Sequence, residues 1–148
     1  MDFHEIDKLG YNYRQACEQR DNFIGELLGL ISVVAEQNSY VYMVDNPLSD
    51  DSFKLFGCKV LISSTPYSSE LTELKILNKT EFTWHRGEDD KITFFSLYIN
   101  ECGEVYSIED DAMKRMPDII GNMERNISHV KQKMLVPLAE AFIKVLDN

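Results

Sequence analysis

Residues 91–108, KITFFSLYINECGEVYSI, contain two apolar runs joined by the short polar segment NECG at positions 100–103. Ile, Thr, Phe and Tyr favour strands and glycine favours a tight turn, so this stretch predicts a β-hairpin. Successive side chains of a strand point to opposite faces, and both faces of the first run are largely apolar. We therefore expect a central strand covered on both faces, or on one face and by a partner. The predicted faces are Ile92, Phe94, Ser96 and Tyr98 on one side, and Thr93, Phe95, Leu97 and Ile99 on the other.

Three further strands are predicted upstream of this hairpin. Residues 40–44 have the alternation of a short strand. Residues 53–63 form another strand, but the phase of their apolar positions changes near Gly57, which predicts a β-bulge or bend there. Residues 71–86 favour one long strand kinked near Asn78, and a hairpin that turns at the same place is the alternative.

Helical periodicity dominates the first 37 residues. Apolar side chains recur every three or four positions, as on one face of an amphipathic helix. This face widens after Arg20, so the C-terminal half of the helix should be its buried half. Asp2 and Glu5 have the spacing of a capping box. Gly25 and Gly29 share a face, which predicts the close approach of another element. The stripe consists of Phe3, Ile6, Leu9 or Gly10, Tyr13, Cys17, Arg20, Ile24, Leu27, Ile31 and Val34.

A second long helix is predicted over residues 117–146. Pro137 lies inside it and lacks an N–H group, so we expect a kink there. Before this helix, the spacing of Ser107 and Asp110 resembles a capping box and predicts a short helix over residues 109–116. The stripe of the second long helix consists of Ile120, Met123, Ile127, Val130, Met134, Leu138, Ala141 and Val145.

Together these elements predict one α+β domain over residues 1–148. It has a long N-terminal helix, a central antiparallel sheet of four to five strands in meander order, and a long C-terminal helix kinked near Pro137. A helix of about 30 residues is roughly 45 Å long, whereas a compact domain of this size has a radius of gyration near ~15 Å. The helices should therefore break at Gly10 and Pro137 or project beyond the sheet.

A projecting amphipathic helix leaves apolar surface exposed, and such surface usually marks an interface. We therefore expect a homodimer through the long helices. The alternative is a kinked helix that packs entirely on its own sheet.

The chain carries 15 Lys and Arg against 25 Asp and Glu, a net charge of −10. This acidity disfavours direct binding to nucleic acid and to anionic membranes, because like charges repel. It favours a basic protein partner, whose encounter would be accelerated. Solubility alone is the alternative explanation for the charge.

The cysteines, Cys17, Cys58 and Cys102, are widely spaced and include no CxxC pair. Neither a zinc site nor a disulfide framework is therefore expected. Three free thiols, together with an acidic N-terminus that has no apolar signal segment, predict a cytoplasmic protein.

The sequence contains no motif for catalysis or for metal or cofactor binding. His4, His85 and His129 lack a metal-binding spacing, and no phosphate-binding glycine loop is present. His85 lies between Trp84 and Arg86 just before an acidic run, but no nucleophile or second base is evident. We therefore predict no catalytic residue, no metal and no cofactor.

Three acidic runs fall in predicted connections between elements. They predict a rim that docks a basic protein, and ordinary solvated turns are the alternative. The predicted partner-binding residues are Asp50, Asp51, Glu88, Asp89, Asp90, Glu109, Asp110 and Asp111, with His85 and Trp84.

Three functions follow from these patterns. The first is a small, acidic, non-catalytic protein of bacterial or phage type that binds and neutralises a basic partner, such as a toxin nuclease or a nucleic-acid-binding defence enzyme. The second is a dimeric chaperone or adaptor, which resembles acidic secretion chaperones in composition alone. The third is a small-ligand-binding protein or enzyme with a pocket between sheet and helices, lined by Tyr40, Tyr42, Trp84, Phe94 and Tyr98.

Overall fold

A computed structural model of the chain describes residues 1–37, 44–45, 47–48, 50–116 and 127–146. The predicted strand over 40–44, except for Val44, and the first ten residues of the predicted second helix lie outside the described residues. Helix α1 spans Phe3–Gln37. The strands are β1 Ser52–Leu55, β2 Cys58–Tyr67, β3 Leu77–His85, β4 Lys91–Ile99, β5 Val105–Glu109 and β6 Ala112–Arg115. The C-terminal helical elements are α2 Ile127–Val130, a π-helical turn Lys131–Leu135, and α3 Val136–Leu146.

The strands form a six-stranded sheet in the order β1-β2-β3-β4-β5-β6, and every neighbouring pair is antiparallel. The predicted α+β meander between two helices is therefore confirmed. The predicted number of four to five strands is wrong, because two stretches that the sequence assigned otherwise are tight hairpins.

The first of these hairpins stands where a β-bulge or bend within one strand was predicted near Gly57. Leu55 pairs with Cys58, so only Phe56 and Gly57 form the loop. Both loop residues have positive φ, 50° and 78°, as a type I′ turn requires. The change of phase in the sequence therefore marks a reversal of the chain rather than an inserted residue.

The second hairpin replaces the short helix predicted over residues 109–116. Glu109 pairs with Ala112, and the loop between them is Asp110-Asp111, with φ of 51° and 59°. Aspartate tolerates the left-handed region better than most residues, so this pair can occupy a type I′ turn. Ser107 and Asp110 have the spacing of a capping box, but the residues that follow them form a strand and not a helix.

The predicted long strand over residues 71–86 is wrong in its first part, because β3 begins only at Leu77. A 3₁₀ turn, Glu70–Thr72, precedes it. Ser69 and Thr72 cap this turn reciprocally. Glu73 and Leu74 then both adopt positive φ, 49° and 61°, which interrupts an extended chain.

The central hairpin over residues 91–108 is confirmed, and β4 has a neighbour on each side. The predicted alternation of its faces is wrong at one point. Phe82 pairs with Phe95 but Thr83 pairs with Thr93, so Phe94 is an extra residue and the phase of the strand shifts there. The described helices contribute to a core on one face of the sheet. The opposite face, termed the open face, bears exposed residues such as Ser63 and Thr65.

Helix α1 runs without a break through Gly10, so it projects beyond the sheet. The predicted capping box is present: the Glu5 N–H donates to Asp2 Oδ1 over 2.9 Å, and the Asp2 N–H donates to Glu5 Oε2 over 3.2 Å. The close approach predicted at Gly25 and Gly29 is wrong for the part of the chain that the structure describes, because no other element there has an atom within 4 Å of where a Cβ would stand.

The described part of the C-terminal helix contains a π-helical turn just before Pro137, and the kink predicted near Pro137 stays a prediction. The Val136 N–H donates to the carbonyl of Lys131, five residues back, which closes the π-helical turn. Such a turn is a recognised way to accommodate a helix irregularity.

The core joins the two long helices to one face of the sheet in a single hydrophobic cluster. From α1 it takes residues of the C-terminal half, as predicted, beginning with Phe23. Phe142 of α3 is central on the other side, where Trp84 and Phe94 contact it edge-on with ring centroids 5.1 and 5.2 Å away. Among the described helices, none is both long enough and apolar enough to cross a membrane.

Candidate functional site

Strand direction points two of the three acidic runs toward the same end of the sheet. The β3–β4 turn holds Glu88, Asp89 and Asp90, and all three are exposed. Strand β5 runs antiparallel to β4, so the β5–β6 turn points toward this same end. The acidic end is defined here as these two turns, Glu88, Asp89, Asp90, Glu109, Asp110 and Asp111.

Ion pairs within the chain neutralise part of the acidic end. Arg86 binds the Asp90 carboxylate in a bidentate manner, with Nε and Nη2 at 2.8 and 2.9 Å from its two oxygens. Lys114 lies 2.7 Å from Glu109. Four exposed carboxylates of the acidic end have no ion-pair partner among the described residues: Glu88, Asp89, Asp110 and Asp111.

The third acidic run directly precedes β1, on the opposite side of the sheet from the β5–β6 turn. Asp50 accepts hydrogen bonds from the Ser52 hydroxyl and from Lys59, which lower the pKa of its carboxyl group. Asp51 Oδ2 lies 3.6 Å from Arg20 Nη1 of α1. Strands β1 and β6 are opposite edges of the sheet, roughly 24 Å apart at the usual strand spacing. Asp50 and Asp51 therefore lie across the sheet from Asp110 and Asp111, and docking of a basic protein by all three runs stays a prediction.

Trp84 and His85 are adjacent in β3 and so face opposite sides of the sheet. The Trp84 ring packs on Phe142 in the core, and the Arg86 guanidinium lies over it, 5.2 Å from its centroid. Partial burial lowers the pKa of His85, and the charges of Lys91 and Lys59 lower it further. His85 therefore has a cationic environment, in contrast to the acidic turn that follows it.

The aromatic residues predicted to line a ligand pocket do not converge. Trp84 and Phe94 pack against Phe142 on the helix side. Tyr98 lies on the open face against Tyr67, with ring centroids 4.6 Å apart and Lys79 Nζ about 6 Å from each ring. Tyr40 and Tyr42 lie outside the described residues.

Two clefts lie elsewhere, both beside the loop that precedes β3. The larger, of about 320 Å³, separates the first turns of α1 from that loop; it is lined by Met1, Glu5, Lys8, Leu9, Asn12, Glu73, Leu74 and Lys75. The smaller, of about 230 Å³, opens on the open face; it is lined by Leu71, Thr72, Glu73, Lys75, Leu77, Asn100, Tyr106 and Met113. Neither is lined by a residue of the predicted pocket.

The N-terminal half of α1, residues 3–15, is a surface that the predicted site residues did not include. Every residue from 1 to 8 is exposed. Phe3 is 82% exposed and Ile6 is 54% exposed, although both belong to the stripe that the core covers farther along the helix. Leu74, beside the larger cleft, is 79% exposed. The sequence feature that indicates this surface is the predicted length of the helix, which is large for a compact domain of this size.

The cysteines offer no constellation that resembles a catalytic site. Cys58 is half-buried against the core, Cys17 is half-buried near Asn78, and Cys102 is exposed. Folding brings the cation of Lys75 toward Cys102. Lys75 forms an ion pair with Glu101 over 3.1 Å. Glu101 is the main cause of the raised pKa of Lys75, and Cys102 contributes to it electrostatically. In the part of the chain that the structure describes, no three His, Cys, Asp or Glu side chains are placed to hold a metal ion.

Comparison of the chain with protein-family models, with curated proteins and with solved structures gives no match. Any assignment of function therefore depends on the surfaces described above.

Proposed function

We propose that this protein is a non-catalytic binding protein that recognises and neutralises a basic protein partner through its acidic end. The observation that supports the proposal is the set of four exposed carboxylates, Glu88, Asp89, Asp110 and Asp111, on two turns that point toward the same end of the sheet. Complementary charge accelerates encounter and suppresses wrong partners.

The partner best suited to such a surface is a basic enzyme, because proteins that bind nucleic acid carry clustered Lys and Arg. A toxin nuclease or a nucleic-acid-binding defence enzyme would meet that description. Binding over or beside its nucleic-acid site would inhibit it by exclusion. This role needs no catalytic residue or cofactor in the present chain, and a cytoplasmic location, predicted from its thiols, is compatible with it.

The proposal can be tested by affinity capture from the native cell with a matched pair of variants. In the first variant, Glu88→Gln, Asp89→Asn, Asp110→Asn and Asp111→Asn neutralise the acidic end, and asparagine still suits the left-handed positions of the β5–β6 turn. In the control, Glu36→Gln, Asp45→Asn, Glu70→Gln and Glu140→Gln remove the same number of exposed carboxylates elsewhere. Wild type and control should capture the same basic partner, and the first variant should lose it.

Added salt should weaken this capture, because exposed charges are screened within about 8 Å at physiological ionic strength. Equal capture by the two variants, or capture that salt leaves unchanged, would contradict the proposal.

The dimeric adaptor is the second candidate function. The observation in its favour is the exposed apolar surface on the N-terminal half of α1, with Phe3 and Ile6 uncovered. An adaptor would use such a surface to assemble and would present another surface to its client. A client that binds independently of the acidic end would favour this candidate over the first.

A further inference from the structure

The stripe of α1, which is interrupted by Gly10 and by the charged Arg20, follows one seven-residue repeat along the whole helix. Its members alternate three and four residues apart, which is the spacing of the a and d positions of a coiled coil. From Ile24 onward every member is buried in the core. At the other end Phe3, Ile6 and Gly10 are exposed and Tyr13 is half-buried. The uncovered seam is defined here as Phe3, Ile6, Gly10 and Tyr13.

Gly10 lies in the middle of the uncovered seam. No atom lies within 4 Å of the position that its Cβ would occupy, so the protein's own fold does not require a glycine there. Glycine weakens a helix interior relative to alanine. It does allow the axis of a second helix to approach closely at that point.

Charges beside the uncovered seam favour a second copy in the opposite direction. Asp7 and Arg14 both directly follow d positions, so they flank the seam on the same side. In an antiparallel pair centred near Gly10, Asp7 of one copy faces Arg14 of the other, and this occurs twice by symmetry. A parallel pair would instead bring together two acidic helix starts, each with Asp2, Glu5 and Asp7.

We propose that two copies of this chain associate through the N-terminal halves of α1, as an antiparallel helix pair whose two-fold axis passes close to Gly10. The groups needed for the interface are accessible. Arg14 is 76% exposed, and its contact with Glu18 in the same chain is long, at 3.8 Å. Asp7 has no ion pair among the described residues. The uncovered seam becomes the centre of the dimer, and the acidic ends of both copies stay outside it.

The expected interface is small. About four helical turns per copy bury less than the roughly 800 Å² per partner of a standard stable interface. The dimer therefore belongs to the weak class, and it should dissociate within the micromolar range of concentration.

Sedimentation equilibrium of the full chain over that range tests the proposal. The mass should rise with concentration from 17.1 kDa toward twice that value. Ile6→Ser should weaken the dimer by about tenfold or more. Ile143→Ser is the matched control, because Ile143 is also a helical isoleucine and is 49% exposed, close to the 54% of Ile6. The control should leave the association unchanged.

Charge reversal tests the direction of the helices. Asp7→Arg and Arg14→Asp should each weaken the dimer roughly tenfold, because like charges then face each other. The double variant should restore it. A Gly10→Cys variant that also carries Cys102→Ser should form a disulfide-linked dimer on oxidation, since the two Gly10 positions lie close to the axis.

A monomer at every concentration would overturn the proposal, as would a dimer that Ile6→Ser and the charge reversals leave intact. Failure here is distinguishable from failure of the partner proposal, because none of these variants changes a residue of the acidic end.

Discussion

The two halves of α1 share one apolar repeat but lie in different surroundings. In the C-terminal half, Leu27 and Ile31 are fully buried in the hydrophobic core. In the N-terminal half, Phe3 and Ile6 occupy equivalent positions of the repeat and are exposed. The repeat in a sequence therefore specifies a helix and the face that is to be covered. It does not specify whether the residues that pack against that face belong to the same chain.

The largest difference between the halves should appear on truncating their apolar side chains. Leu27→Ala should lower the free energy of unfolding by about 2–5 kcal/mol, because it leaves a cavity in a packed core. Ile6→Ala should change it by no more than about 0.5 kcal/mol in the monomer. Urea denaturation at a concentration too low for association measures both, and similar losses for the two variants would show that the N-terminal half is also covered within one chain.

The boundary between the halves is marked by a contact of α1 with the β4–β5 turn. Gly103 has a φ of +83°, and a Cβ there would lie 2.8 Å from Gln19 Oε1. Gly103→Ala should therefore cost about 1–3 kcal/mol, from backbone strain and from displacement of Gln19. Gly87→Ala, at a site with open space around it, is the control and should be close to neutral.

The Gln19→Ala/Gly103→Ala double variant separates the two causes. It should recover the steric part of the loss and leave the strain. Full recovery, or none, would show that a single cause accounts for the effect.

Replacement of the helical glycines compares the same two halves of α1, with smaller expected changes in stability. Gly25→Ala and Gly29→Ala should each stabilise the protein by about 0.5–1 kcal/mol, since alanine favours the helix and no neighbour obstructs its methyl group. Gly10→Ala should also stabilise the monomer but should weaken the proposed dimer. Thermal unfolding measures the first effect and sedimentation the second. A dimer strengthened by Gly10→Ala would place the helix crossing elsewhere.

The smallest effect concerns the β1 edge, which Asp51 and Arg20 connect to α1. The pKa of Asp50 is held below its usual value of 3.8, first by the Ser52 hydroxyl and then by Lys59. A depressed pKa means that the ionised carboxylate stabilises the fold above the unfolded pKa, and that this contribution is lost as pH falls through the folded pKa. Asp50→Asn should therefore be less stable than wild type near neutral pH, and the difference should vanish in acid.

Urea denaturation as a function of pH checks this expectation. Ser52→Ala removes the hydroxyl that is the principal hydrogen-bond donor to Asp50, so the free energy of unfolding should lose the same pH dependence. Because Ser52 is buried, this variant should also show a loss of stability that does not depend on pH. A difference between wild type and Asp50→Asn that persists well below the folded pKa of Asp50, where the carboxyl group is protonated in both the folded and the unfolded state, would assign the effect to hydrogen bonding of the neutral side chain instead.

Much of the fold could be predicted because helix periodicity and a glycine-bearing turn are local signals. The long α1, its Asp2–Glu5 cap and the central hairpin all follow from residues close together in sequence. The two missed hairpins have less usual turns: Phe56-Gly57 places a bulky residue at positive φ, and Asp110-Asp111 contains no glycine. The sequence around Phe56-Gly57 also fits a β-bulge, and the sequence around Asp110-Asp111 also fits a helix cap. Only pairing with the neighbouring strands decides between these local structures.

The candidate site was less predictable, because contacts between distant residues decide which carboxylates stay available. Asp51 meets Arg20 from α1, and Asp50 meets Lys59. These partners are 31 and 9 positions away, and no sequence pattern marks them. The strand order likewise determines that the β3–β4 and β5–β6 turns point toward the same end of the sheet, and that Asp50 and Asp51 lie across the sheet from Asp110 and Asp111.

The position of Trp84 gives the molecule an intrinsic optical reporter. It is the only tryptophan of the chain, and its indole packs on Phe142 of α3 and under the Arg86 guanidinium. Detachment of the C-terminal helix would expose the indole to water and shift its emission to longer wavelength. Events at the N-terminal half of α1 would leave that emission unchanged, so fluorescence can follow one helix independently of the other without any label.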